Sequence, residues 1–250
     1  MAAVSSRTSI TPPSLHAAAW SRLSRSIPAQ SPTTKWGLAV GDRVLVVAAH
    51  PDDETLGAGA TIAQLCDDGV DVHVVSLTAG EAVLDHVGRT IAALAQRRRD
   101  EFHRACAVLG AASSVILDLP DTGLQSSGSA TTVAISEAIE RLRPAHLLTV
   151  WWDDPHADHQ AAGHAARQSA TAAGCPVSGF PIWALHWSDP AAVAQVTRRM
   201  TLLVTSAEAQ RRRREALDSY TSQTLPLADD LEPILPPELL TALPELVISP

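Results

Sequence analysis

The stretch Val44-Leu45-Val46-Val47-Ala48-Ala49-His50-Pro51-Asp52-Asp53-Glu54 constrains the fold more than any other part of the chain. Its apolar, β-branched half reads as a strand buried on both faces, the pattern of a parallel sheet covered by helices. Pro51 ends the strand. The three carboxylates that follow suit the first turn of a helix, where the macrodipole favours negative charge. The polar residues therefore stand at the carboxyl end of a central strand, where open α/β sheets form their binding crevices. A His-x-x-Asp on such a turn can converge on a divalent metal, but taken alone it equally describes a capped helix start with an incidental histidine.

The rest of the sequence repeats this unit. A strand over 43–49 leads into a helix over about 53–68, capped by Gly69, and then a strand over 70–77, a parallel β-α-β unit. Gly57 and Gly59 are placed to let that helix pack closely. A helix over 89–109, strand 115–119, helix 131–142, strand 146–152 and helix 161–173 follow, then a strand-like 181–186, a short strand over 202–204 and a helix over 207–220. The fold class is α/β, a mostly parallel sheet flanked by helices in a single domain spanning residues 40–224. Residues 1–39 read as an N-terminal extension, partly helical or disordered. The first 41 residues contain no acid, as in organelle transit peptides, but the helical spacing of apolar residues over 15–23 around Trp20 favours the extension. Residues 225–250 read as a Pro-rich tail with a short helix over 237–241 and an edge strand over 245–248.

Composition limits the functions open to such a domain. A net charge of −8 argues against nucleic-acid or membrane-surface binding by electrostatics, and no apolar run is long enough to span a bilayer. The cysteines Cys66, Cys106 and Cys175 are odd in number and widely spaced, so a reducing, cytoplasmic compartment is expected and thiolate ligands are not. The charge runs Arg97–Glu101 and Arg211–Arg214 read as solvated helix faces, and His73 as a residue of its strand rather than a ligand.

A second polar cluster, Asp153-Asp154-Pro155-His156-Ala157-Asp158-His159, follows the strand over 146–152. In a parallel sheet all such strand ends share one rim, so His50, Asp53 and His159 can meet although they come from opposite halves of the chain. Two imidazoles and a carboxylate form a catalytic zinc shell with one position left for water. Asp52, beside a ligand, is free to take a proton from that water, whose pKa zinc lowers towards ~7. His156 lies one turn before His159 and, protonated, can stabilise an oxyanion, a contribution of roughly 3 kcal/mol. Asp158 is placed to hold the His156 tautomer. Trp152, next to the cluster, is a candidate sugar-stacking residue, and Trp183 reads as core.

The motifs Ala49-His50-Pro51-Asp52-Asp53-Glu54 and His156-Ala157-Asp158-His159 resemble those of the LmbE-like (PIG-L) family of zinc-dependent N-deacetylases. Thr78-Ala79-Gly80-Glu81, Arg98-x-x-Glu101, Leu119-Pro120-Asp121 and Ser222-Gln223 support the likeness. The resemblance implies a Rossmann-like fold, His50, Asp53 and His159 as ligands of one Zn2+, Asp52 as general base, and His156 backed by Asp158 as electrophile. It also implies Arg98 and Asp121 as sugar contacts. The expected substrate is a small N-acyl glycoside or glycoconjugate, of the N-acetylglucosamine type, that loses its acyl group. Ala157 stands where the family usually has proline, which bears on the turn presenting the second motif. Two other readings stay open: a zinc amidohydrolase or esterase of a non-sugar metabolite, and a metal-binding Rossmann-like module without turnover. The latter lacks a Gly-x-Gly-x-x-Gly turn after its first strand.

Overall fold

The computed structural model describes residues 11, 14–85, 88–91, 93–235, 237–240 and 244–250. The elements in chain order are α1 (Ala17–Leu23), β1 (Ala29–Gln30), α2 (Pro32–Trp36), β2 (Arg43–Ala48), α3 (Asp53–Asp67), β3 (Asp71–Ser76), α4 (Leu94–Leu109), β4 (Ser113–Ile116), α5 (Gly128–Leu142), β5 (His146–Val150) and α6 (Ala157–Ala173). Then come β6 (Val177–Phe180), α7 (Ala184–Trp187), α8 (Ala194–Thr197), β7 (Met200–Leu203), α9 (Ala207–Leu217), α10 (Thr221–Thr224), α11 (Pro237–Leu240) and β8 (Leu246–Ile248). They build one α/β unit around an eight-stranded sheet of order β1-β7-β8-β6-β5-β2-β3-β4. Every pairing is parallel except those of β8 with β6 and β7.

β2 is the centre of this sheet. Val44, Leu45, Val46 and Val47 are fully buried, each contributing about 1.5–3 kcal/mol by leaving water. On one side β2 pairs with β3, the next strand in sequence, and on the other with β5. The strand order therefore reverses between β2 and β5, and a crevice opens beyond their carboxyl ends. Both polar motifs emerge there.

Two glycines set how closely helices approach the sheet. A Cβ on Gly57 would lie 2.1 Å from the Phe180 ring, and one on Gly163 would lie 2.7 Å from the Trp152 main chain and from the Val150 carbonyl oxygen. At Gly163 the obstacle is backbone, which cannot rotate aside. Gly163→Ala is therefore expected to displace α6, and His159 with it, lowering stability by about 1–3 kcal/mol and weakening metal retention. Denaturant unfolding together with a metal titration checks both effects, and unchanged values for both would contradict this packing.

The ends of the chain differ from expectation. Trp20 of α1 is buried, and β1 pairs with β7, so residues 14–39 are part of the folded body; residues 1–10, 12 and 13 lie outside the described residues. The C-terminal strand, expected at an edge, is interior, between β6 and β7. Leu246, Val247 and Ile248 are all buried, and a run apolar on both faces belongs inside a sheet. Ahead of it, the buried Glu245 carboxylate accepts from the Ala60 N–H (2.7 Å), the Thr61 N–H (2.7 Å) and Thr61 Oγ1 (2.5 Å). Arg213 of α9 adds an ion pair at 3.3 Å and donates to the Thr55 and Leu56 carbonyls. Arg213 thus locks α3, α9 and the tail together, whereas its neighbour Arg211 pairs on the surface with Glu208 and Glu215. The strand expected over 181–186 is also corrected: β6 lies just before it, Pro181 ends β6, and α7 begins at Ala184.

His146 at the start of β5 stacks on Trp36 with ring centroids 4.5 Å apart, and its Nε2 meets Ser178 Oγ at 3.1 Å. Burial pushes its pKa down to about 3. A folded-state value below the unfolded one means that the unfolded chain takes the proton first. Stability is therefore complete above pH ~6.5 and falls by about 1.4 kcal/mol per unit below it, so about 2 kcal/mol at pH 5. His146→Phe should remove that part of the pH dependence. Urea midpoints at pH 7 and pH 5 test it, and equal acid losses in both proteins would contradict the assignment.

Candidate metal centre

The loop after β2 turns sharply. Asp52 adopts φ +119° with the N-cap position of α3, a conformation costly for a residue with a Cβ and characteristic of functional sites. Its backbone is held by the buried Glu54 carboxylate, which accepts from the Asp52 N–H at 3.2 Å and from the Tyr220 hydroxyl. The turn places Asp53 so that its Oδ2 accepts from the Ala49 N–H (3.1 Å) and the His50 N–H (2.8 Å). The other oxygen, Oδ1, faces His159 Nε2 at 3.1 Å, and His50 Nδ1 lies 3.5 Å from Asp53 Oδ2. One donor atom from each of His50, Asp53 and His159 falls within 4.8 Å of the others.

His159 reaches this point from α6, which starts at Ala157 with His156 as its N-cap; His156 Nδ1 accepts from the Asp158 N–H at 3.2 Å. Alanine in place of the family's proline therefore leaves the turn intact. Both ring nitrogens of His159 are buried, and among the described residues neither has a contact of hydrogen-bond geometry. Nδ1 instead faces Asp154 Oδ1 at 3.2 Å. Asp154, fully buried, also accepts from the Ile182 and Ala184 N–H groups through Oδ2.

The electrostatics favour a cation. Burial alone would lower the His159 pKa, yet Asp53 and Asp154 outweigh it and raise it to about 9. Burial is likewise overcome at His50, held high by bonds to Asp121, Asp158 and Asp53, and at Asp53, held low by His159 and His50. A buried histidine nitrogen without a hydrogen bond, a carboxylate with one oxygen committed to backbone, and a second imidazole form a donor set that fits zinc.

Asp52 stands beside this set with its side chain buried. Burial pushes its carboxyl up to about 8, against the opposing charge of Arg98. Arg98, expected on a solvated face, is buried: it donates to the Gly80 carbonyl (2.7 Å), the Pro51 carbonyl (2.9 Å) and Asp52 Oδ2 (3.3 Å). Glu101, one turn on, accepts from Ser222 N–H, Ser222 Oγ and Thr221 Oγ1, tying α4 to the Ser-Gln motif of α10. The Asp158 carboxylate does not reach His156 as expected. It accepts from the Thr122 and Leu124 N–H groups and lies 3.2 Å from His50 Nε2, next to Asp121 Oδ1 at 3.1 Å. Its partner is thus His50, whose Nδ1 is left to face Asp53. His156 is not protonated at rest either: burial, together with the His159 and His50 charges, lowers its pKa to about 4. Because Nδ1 accepts a hydrogen bond, the neutral ring carries its proton on Nε2.

His50, Asp52, Asp53, Arg98, Asp121 and His156 all line one cavity of about 420 Å³. Trp152 does not; it is buried, with the Arg167 guanidinium 5.2 Å from its ring centroid, so it is no sugar contact. The cavity-lining indoles are Trp183 and Trp187. Among the described residues, no helix is long and apolar enough to cross a membrane.

Comparison with known proteins agrees with this architecture. The family model described as PIG-L: GlcNAc-PI de-N-acetylase matches residues 45–170. A 1D-myo-inositol 2-acetamido-2-deoxy-alpha-D-glucopyranoside deacetylase of Rhodococcus opacus is 33% identical over 178 residues, covering 58% of this chain and 61% of the relative. A diacetylchitobiose deacetylase of Thermococcus kodakarensis is 32% identical over 140 residues, covering 54% and 51%. The matched part of the chain thus spans between half and two thirds of these curated relatives. The crystal structure of an antimicrobial-reagent pseudoaglycone deacetylase superposes with a TM-score of 0.63 at 23% identity, over 83% of this chain and 96% of that one, a likeness of fold. With half of its length matched and the motif residues gathered at the switch point of the sheet, the chain belongs to the PIG-L (LmbE-like) family.

Proposed function

We propose that this protein is a zinc-dependent hydrolase that removes an acyl group, acetyl in the simplest case, from the amide nitrogen of an N-acetylglucosamine-type glycoconjugate. The observation that carries this reading is the buried convergence of His50, Asp53 and His159, the first two of which line one cavity with Asp52 and His156. The relatives' activities on acetamido sugars support it, and the three free cysteines suit the reducing cytoplasm.

When bound by His50, Asp53 and His159, zinc supplies Lewis-acid polarisation and makes a water acidic near neutral pH. The charge of a bound zinc would lower again the Asp52 carboxyl that burial raises, so that Asp52 would accept the proton of the attacking water and then pass it to the leaving amine. Arg98, donating to Asp52 and to the two flanking carbonyls, fixes the angle of that carboxylate. His156 presents its Nε2 proton to the oxygen that becomes negative as the tetrahedral carbon forms. Asp121, on the cavity wall and anchored by the Ala82 N–H at 2.8 Å, is left to take a sugar hydroxyl.

The test is acetate release from N-acetylglucosamine glycosides by the zinc-loaded protein. Release should stop with a chelator and return with added zinc. Release that a chelator leaves untouched, or none from any N-acetylated amino sugar, would overturn the reading.

A further inference from the structure

The cavity has a side that the mechanism leaves unused. Alongside the polar groups, Val83, Trp183, Trp187, Ile234 and Leu235 line it without contributing any charge. A cavity of about 420 Å³ falls in the range that takes a drug-sized ligand rather than a small acyl group alone. Trp183 and Trp187 lie flat against each other, ring centroids 4.4 Å apart and planes inclined by 12°. One turn of α7 holds them, with the Trp187 N–H donating to the Trp183 carbonyl at 2.8 Å.

This pair is fixed to the metal centre and to the N-terminal segment. The Asp154 carboxylate that faces His159 also accepts from Ile182 and Ala184, on either side of Trp183. From the other side, the His186 carbonyl accepts from the Leu15 and His16 N–H groups, and Trp20 Nε1 donates to the Ser188 carbonyl. Both aromatic rings are therefore placed before any ligand arrives, which reduces the ordering cost of binding.

We propose that Trp183 and Trp187 form a subsite for a flat aromatic group, attached on the amine side of the scissile amide as the aglycone of an N-acylated amino sugar. The proposal rests on the hydrolase reading above for the identity of the sugar. An acyl chain is the poorer occupant, since a hydrocarbon tail offers the stacked indoles no ring face.

The experiment measures calorimetric binding of methyl and phenyl glycosides of N-acetylglucosamine to zinc-loaded protein carrying Asp52→Asn, which slows turnover about a thousandfold. The phenyl glycoside should bind about tenfold tighter or more, the scale of an added aromatic contact. Trp187→Leu and, separately, Trp183→Leu should each bring that ratio close to one. A phenyl-to-methyl ratio near one before any tryptophan is changed would overturn the subsite. So would a ratio that neither substitution alters, or an N-octanoyl methyl glycoside that gains as much affinity and loses it with Trp187→Leu. A parallel acetate assay on the protein with Asp52 intact separates the two levels. Selective phenyl binding without acetate release keeps the subsite and removes the hydrolase reading, whereas release from both glycosides with equal binding removes only the subsite.

Discussion

Asp52→Asn will lower kcat by about three orders of magnitude while the protein keeps its metal, the range expected when a positioned general base is lost. Asparagine suits the test because it tolerates positive φ better than alanine would at +119° and still offers an oxygen to Arg98. Its amide has no basic oxygen to take a proton from water. The effect should fall on kcat rather than on KM, since the change touches proton transfer and not substrate contacts. Steady-state kinetics with metal analysis of the same sample reads both quantities. A variant that retained activity, or lost zinc, would assign Asp52 a different task.

His159→Ala is expected to do the reverse and remove the metal itself. His159 donates from a fully buried position, and among the described residues Asp53 Oδ1 has no other buried imidazole so close. Loss of a ligand should weaken zinc by more than the 10–100-fold typical of losing an outer hydrogen-bond partner of a ligand. Asp154→Asn supplies that milder comparison, because Asp154 meets His159 only on its far nitrogen. Competition titrations against a chromogenic chelator rank the three proteins. Equal zinc affinity in His159→Ala and the parent protein would exclude His159 from the metal.

The polar clusters were readable because both follow apolar runs of strand length, and parallel strand ends share a rim. That logic brought His50, Asp53 and His159 together without knowledge of the strand order. It failed wherever a side chain's partner is a distant main-chain group. Arg98 looks solvent-facing in Arg97-Arg98-Arg99, and nothing local shows that the Gly80 and Pro51 carbonyls close over it. Asp158 was assigned to His156 by adjacency, but a helix start points neighbouring side chains apart, and the 122–124 loop turned its carboxylate to His50. Asp154, with its His159 contact, was unremarkable as one of two adjacent aspartates. One other miss was legible in retrospect: Leu246-Val247-Ile248 has no polar face and so marks an interior strand.

The account stands or falls on which atoms hold the metal. Anomalous diffraction at the zinc edge from crystals of the zinc-loaded protein would show this directly. It should give one strong peak bound by His50, Asp53 and His159, with zinc–nitrogen distances of about 2.0–2.1 Å. A peak held instead by His50, Asp121 and Asp158, the other buried group able to hold an ion among the described residues, or no peak near His159, would contradict it.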